Sequence, residues 1–140
     1  MNNLRQCMAA TGQCICGAVA FEVNGTLREV HLCHCTECRR WAGHVWAATE
    51  AAWADLDFSE DRGLRWIDSP DSQYDARRGF CSKCGSSLFW QVPGSDHVSL
   101  AAGCLDGPTG IETTEQIWVE SAGDYYELDD RIPSRPRGGE

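Results

Sequence analysis

At 140 residues, with 42% hydrophobic residues and six Trp, the chain has the size of a single domain with a modest apolar core. Its formal charge of −9 sets 21 acidic side chains against eleven Arg and one Lys, and the adjacent basic pairs are Arg39-Arg40 and Arg77-Arg78. Two scattered pairs exclude the clustered cationic face that phosphate binding needs, and no stretch approaches the roughly 18 apolar residues of a membrane-spanning helix.

Residues 1–11 read as a loose leader. They carry no apolar run that would serve as a signal-peptide core, so the expected compartment is a reducing cytoplasm. Ala18 to Val23 alternates as a strand, and Asn24-Gly25 predicts a hairpin turn into a returning strand from Leu27 to Leu32. Thr36 is the expected N-cap of a short helix through Trp41 that Gly43 stops. Val45 to Thr49 predicts a further strand, whereas Ala51 to Asp61 has no clear period.

Leu64 to Ile67 reads as a short strand, and Arg77 to Cys81 leads into a cysteine pair. Ser87 to Val92 and His97 to Ala101 alternate around the turn Pro93-Gly94-Ser95-Asp96. Glu115 to Glu120 and Tyr125 to Leu128 are the last expected strands, and residues 132–140 read as a partly mobile end. Many short strands at such spacing predict a mainly β domain with at most short helices.

Seven of the nine cysteines fall into three clusters: Cys14-x-Cys16, Cys33-His34-Cys35-x-x-Cys38 and Cys81-x-x-Cys84. In a reducing compartment closely spaced thiols bind metal more often than they pair as disulfides, and an odd total fits a disulfide framework poorly. Residues i and i+2 of an extended strand face the same side, so Cys14 and Cys16 are expected to reach one ion. Cys81-x-x-Cys84-Gly85 is a knuckle-type turn in which Gly85 supplies a left-handed conformation. These two pairs make four soft ligands, the number of a closed structural zinc, and joining them would clip the first strand to a late hairpin. Redox dithiols or buried reduced thiols are the plainer reading of the same residues.

Cys33, Cys35 and Cys38 supply three ligands to a second zinc, for two Zn²⁺ per chain. A fourth ligand from Cys104 or Cys7 would close this site. Water or substrate in the fourth position would leave it open for chemistry. Three thiolates leave zinc with a net charge of −1, a weak Lewis acid suited to holding a soft substrate thiolate and deprotonating it near neutral pH. Such a thiolate attacks a carbonyl, or leaves when its aldehyde adduct collapses.

Around this site, His34 is a candidate proton shuttle or loop-shaping hydrogen-bond donor. Arg39 and Arg40 are candidates to hold a substrate carboxylate, and Glu37 is a candidate acid or base. Trp41 and Trp46 flank the cluster as possible pocket walls, while His31, His44 and His97 read as ordinary strand or loop residues.

Gly12-x-Cys14-x-Cys16-Gly17-x-Val19-x-Phe21, then Cys33-His34-Cys35-x-x-Cys38-Arg39, then Phe80-Cys81-x-x-Cys84-Gly85-x-x-Leu88 resembles the glutathione-dependent formaldehyde-activating enzyme (GFA) family, which includes centromere protein V. The resemblance extends to Ala102-Gly103-x-Leu105-Asp106 and Leu128-Asp129-Asp130-Arg131-Ile132-Pro133, and implies a GFA-like domain over residues 12–133 followed by a tail, 134–140. It implies a β-tent of small antiparallel sheets, a structural zinc on Cys14, Cys16, Cys81 and Cys84, and a catalytic zinc on Cys33, Cys35 and Cys38. The implied activity is that of a carbon–sulfur lyase joining formaldehyde to glutathione as S-hydroxymethylglutathione. Gln116 stands where many family members carry His, Tyr125-Tyr126 where Trp is common, and Cys104 where Thr is common. The alternative is a non-catalytic two-zinc module that binds a protein partner, with its second site closed by a fourth cysteine.

Overall fold

The computed structural model describes residues 9–70 and 74–138, so Cys7 lies outside the described residues. The described residues are mainly β with one α-helix, as the strand spacing leads one to expect. Two sheets carry it. Strands β1 (Ala10–Gln13), β2 (Ala20–Val23) and β5 (Leu56–Glu60) form a three-stranded sheet in the order β1-β2-β5. The larger sheet has the order β10-β3-β4-β9-β8-β7-β6, from β3 (Val30–Cys33), β4 (Trp46–Ala52), β6 (Leu64–Asp68), β7 (Arg77–Cys81), β8 (Ser87–Gln91), β9 (His97–Ala101) and β10 (Thr113–Ile117).

Between the described strands every pairing but one is antiparallel; β10 runs parallel to β3, with Ile117 opposite Cys33. Nothing in the local pattern of either strand signals that pairing, because a long connection brings them together.

Several local expectations are corrected. Asn24-Gly25 does not turn a hairpin: β2 pairs with β1 and β5, while β3 belongs to the other sheet. Asn24 instead donates its N–H to the Asp55 carbonyl at 2.9 Å and its side-chain amide to Asp57 at 2.8 Å. A Cβ at Gly25 would overlap the Asp55 carboxylate, so glycine serves close approach here. Tyr125 to Leu128 is turn and irregular backbone: the Tyr126 ring stacks on His34 and the Tyr125 ring lies tilted against His44.

β1 begins at Ala10, inside the segment read as leader. Residues 134–138, read as mobile tail, dock on β10: Arg135 N–H donates to the Gln116 carbonyl at 2.8 Å, and Trp118 N–H to the Arg137 carbonyl at 3.0 Å.

Strand alternation assigns the two faces of the large sheet. Ala51, Val98 and Leu100 are buried with Phe21, Val23 and Leu56 of the smaller sheet, and with Val19 just before it, to form the main core; Thr49 is buried on the same face. Phe21 and Phe89 meet edge to face there, with ring centroids 5.4 Å apart. Burying each such side chain fully contributes about 1.5–3 kcal/mol. Gly12 sits tightly in this core, because an added Cβ would lie 2.6 Å from the Phe21 ring and 2.7 Å from the Cys104 carbonyl. The opposite face presents Cys33, Trp46 and Ala48, with Trp90 and Ile117 packed beside them, as the floor of a second cluster.

Candidate metal centres

The Sγ atoms of Cys14, Cys16, Cys81 and Cys84 all lie within 4.8 Å of one another. Those of Cys14 and Cys16, and of Cys16 and Cys81, are 3.8 Å apart. Four sulfurs at tetrahedral angles, about 2.3 Å from a shared zinc, would stand about 3.8 Å apart, so the donor set and its spacing fit that ion.

Cys14 and Cys16 flank a turn after β1, not an extended strand; the turn, not the pleat, brings the two sulfurs to one side. Gly17 closes it at φ 81°, and Val19 N–H donates to Cys14 Sγ at 3.3 Å. Gly85 takes the expected left-handed conformation at φ 83° and donates to the Cys81 carbonyl at 2.7 Å. Lys83 N–H points at Cys81 Sγ from 3.3 Å. Backbone donors of this kind orient a thiolate toward a metal. Ser86 Oγ, 3.2 Å away, is the largest influence holding the Cys84 thiol down to about 5. The group joins the end of β1 in one sheet to the β7–β8 hairpin in the other.

The second group is Cys33, Cys35 and Cys38, whose sulfurs also lie within 4.8 Å of one another. Cys33 ends β3, and Cys38 sits in the first turns of α1 (Thr36–Ala42). The N-cap of α1 is Cys35 rather than Thr36: its sulfur accepts the Cys38 N–H at 3.3 Å. One candidate ligand therefore also caps the helix that carries the next. Gly43 ends α1 at φ 86°, as its sequence suggests. Hydrogen bonds from the Cys33 and Cys38 thiols hold Cys35 well below the ordinary thiol range, while its hydrogen bonds with Cys35 and then Cys38 push Cys33 far above it.

Among the described residues this group has no fourth sulfur. Cys104 does not supply one. It packs against the main core, its thiol donates to the Ala101 carbonyl at 3.0 Å, and burial pushes it up to about 12.

Cys33, Cys35 and Cys38 form one wall of a cavity of about 710 Å³. Trp46, Trp90, Trp118 and Ile117 supply apolar walls, and Trp118 holds a left-handed backbone, φ 58°. Beyond them, Arg28, His31, Glu50 and His97 line the cavity. Glu50 lies 3.7 Å from Arg28 Nη1 and 3.4 Å from His97 Nε2. Trp46 and Glu50 are four residues apart on one face of β4, so this charged end stands about 13 Å along the strand from Trp46, which lies opposite Cys33.

The residues expected beside the second cluster divide. Glu37 and Trp46 line the cavity, and His31 and His97, read as ordinary, join them. Trp41 lies instead against Phe80, with ring centroids 6.1 Å apart. His34 is buried away from the cavity lining. Its Nε2 lies 2.9 Å from Gln116 Oε1 and its Nδ1 2.7 Å from Tyr126 Oη. Because the Gln116 amide nitrogen donates to the Asp129 carbonyl at 2.9 Å, its oxygen faces His34, so Nε2 carries the ring proton and Nδ1 accepts from Tyr126. Burial lowers the His34 pKa and favours this neutral form. Gln116 and Tyr126 therefore act on the loop between Cys33 and Cys35 through His34.

Arg39 donates from Nε to the His34 carbonyl at 3.3 Å and from Nη2 to the Ser121 carbonyl at 3.1 Å, bracing the loop rather than facing the cavity. The guanidiniums at the cavity are Arg28 and Arg78. The sequence shows Arg78 only as half of a basic pair; the register of β7 and β8, which sets Arg78 opposite Trp90, brings it there.

Residues 9–121 match the family described as glutathione-dependent formaldehyde-activating enzyme. The crystal structure of a Rhodobacter sphaeroides protein from a structural-genomics programme is similar, with 25% sequence identity and a TM-score of 0.57 over 74% of this chain and 99% of that one. No curated protein matches the chain.

Proposed function

Because the chain belongs to the glutathione-dependent formaldehyde-activating enzyme family, we propose that it is a zinc-dependent carbon–sulfur lyase-type enzyme acting on adducts of a glutathione-like thiol with a formaldehyde-like aldehyde. The observation that carries the reading is the three-thiol group on the wall of a cavity, with no fourth sulfur beside it among the described residues. Zinc held there would supply a soft site for a thiolate near neutral pH. Cys33, Cys35 and Cys38 would hold that ion. Cys14, Cys16, Cys81 and Cys84 would hold a second one whose role is to join the two sheets.

The remaining residues bind and orient. Trp46, Trp90 and Trp118 limit the water that reaches the reacting sulfur. The charged end at Arg28, Glu50 and His97 suits a thiol carried on an extended body with ionic groups, as in a peptide thiol. Glu37, next to Cys38 in the chain, gives the cavity lining a carboxylate that would pass a proton between the thiol and the carbonyl oxygen. His34 and Arg39 keep the ligand loop in place. The reading requires a reducing cytoplasm, where the seven ligands stay as thiols until metal binds, and it calls for neither nucleic acid nor membrane. No described helix is long and apolar enough to cross a membrane.

Exchange between formaldehyde and glutathione, followed by two-dimensional NMR exchange spectroscopy, tests the activity. The zinc-loaded protein should accelerate exchange over the metal-stripped protein and over buffer. Equal rates in all three would refute it.

A further inference from the structure

Arg78 is buried beside the second cluster, on β7, with 3% of its side chain exposed. Its Nε donates to Ser69 Oγ at 2.9 Å, and Ser69 in turn donates to Glu37 Oε1 at 2.6 Å. Its Nη2 donates to Glu37 Oε1 at 3.1 Å and lies 3.7 Å from Cys38 Sγ. Its plane approaches the Trp41 ring, 5.5 Å from the centroid. Its Nη1 is buried without an acceptor among the described residues. A sealed guanidinium with an unpaired donor is expensive to fold around. Pairing Glu37 alone does not require it, because the same ion pair at the surface would avoid the desolvation.

We infer that Arg78 is a positioning residue for the second centre, offsetting the negative charge gathered at Cys33, Cys35 and Cys38 and setting how readily that centre takes a further thiolate. This rests on the reading of the three cysteines as metal ligands. Three thiolates on a divalent ion carry −1, and an incoming thiolate brings the centre to −2, inside walls of Trp where water screens little. A cation fixed 3.7 Å from one sulfur favours that step, and a hydrogen bond to a ligand sulfur weakens its donation to the metal. Glu37 holds the guanidinium in place and also subtracts from its field. The two residues should therefore act on thiolate binding with opposite signs. Loosened packing would not produce that pattern, since it would weaken binding in both variants.

The test is a mercaptoethanol titration of the cobalt(II)-substituted protein, read as the thiolate-to-cobalt charge-transfer difference spectrum. A four-cysteine site has no position to give and stays silent, so the difference reports the open centre. Arg78→Met should weaken mercaptoethanol binding about tenfold and Glu37→Gln should tighten it about threefold. The Arg78→Met centre should also move its charge-transfer band to lower energy, as a ligand sulfur loses its donor. If Arg78→Met does not fold, the sign of the Glu37→Gln effect decides. Weaker binding in both variants, or changes within about twofold in both, overturns the inference. An unaltered protein without a mercaptoethanol difference spectrum overturns the metal-ligand reading and this inference with it.

Discussion

The sulfur atoms of Cys16 and Cys81 stand 3.8 Å apart although 65 residues separate them in the chain. Cys16 follows β1 of one sheet and Cys81 ends β7 of the other, so the group they form with Cys14 and Cys84 holds the two sheets together from the edge of the main core. A closed structural zinc contributes about 10–16 kcal/mol in zinc-finger peptides, as much as the whole stability of a typical domain, about 5–15 kcal/mol. Cys81→Ser is therefore expected to abolish cooperative unfolding, as is prolonged chelation. Near-ultraviolet circular dichroism of the Trp residues during a thermal melt checks this. A cooperative transition near that of the unaltered protein would show that the packing does not depend on this metal.

Cys35 is both helix cap and candidate ligand, and two substitutions separate the roles. Cys35→Ser keeps an acceptor for the Cys38 N–H, so the fold should persist while one metal and the thiol–aldehyde exchange are lost. Cys35→Ala should lose the same metal and, in addition, about 1 kcal/mol of stability with the cap. Metal content by mass spectrometry and urea denaturation of both variants give the comparison.

How much of this was legible beforehand follows physical range. Ligand spacing is local, so the two cysteine pairs and the triplet, the turn at Gly85 and the stop at Gly43 are legible from adjacent residues, and the count of four joins the pairs. The Cys35 cap is not legible because Thr36 is the better N-cap by type, whereas in the structure the Cys35 sulfur takes the Cys38 N–H. Asn24-Gly25 looked like a hairpin because its dipeptide preference is strong, yet Asp55 and Asp57, about thirty residues on, claim its polar groups. The parallel pairing of β10 with β3, and with it the cavity wall at Ile117 and Trp118, depends on long-range register. So does Arg78. Arg39 follows the last ligand and looked like the functional cation, but its side chain turns to backbone carbonyls.

Cys104 provides a test by pH. Burial pushes its thiol up to about 12 from an ordinary value of 9. Above pH 9 the unfolded chain releases this proton and the folded chain keeps it. The folded state then binds more protons, so stability is present in full below pH 9 and falls as pH rises toward 12. The metal-bound thiolates carry no proton in the folded state, so they contribute a slope of opposite sign that fades once the unfolded thiols have ionised; it is common to the unaltered protein and Cys104→Ala, and the difference between them isolates Cys104. Cys104→Ala should flatten the decline between pH 9 and 10.5 in urea denaturation, and the variant should retain two zinc ions per chain. Loss of one zinc would assign Cys104 to the second centre.

Gln116 should act through His34. Gln116→Leu removes the acceptor of the buried His34 Nε2–H and should cost about 1–3 kcal/mol for the unpaired donor. Gln116→Glu keeps an acceptor and should restore most of that loss. Thermal melts of both variants decide it, and equal losses in the two would indicate that Gln116 matters for packing rather than for His34.

The most direct measurement follows zinc release and formaldehyde–glutathione exchange together while a chelator is added to the native protein. Two zinc ions per chain should be present at the start. One, bound by three cysteines, should leave early with exchange activity falling in step while the fold persists, and the other should stay until the protein unfolds. Simultaneous release of both ions, or exchange that outlasts the first, would contradict an open three-cysteine centre as the seat of the chemistry.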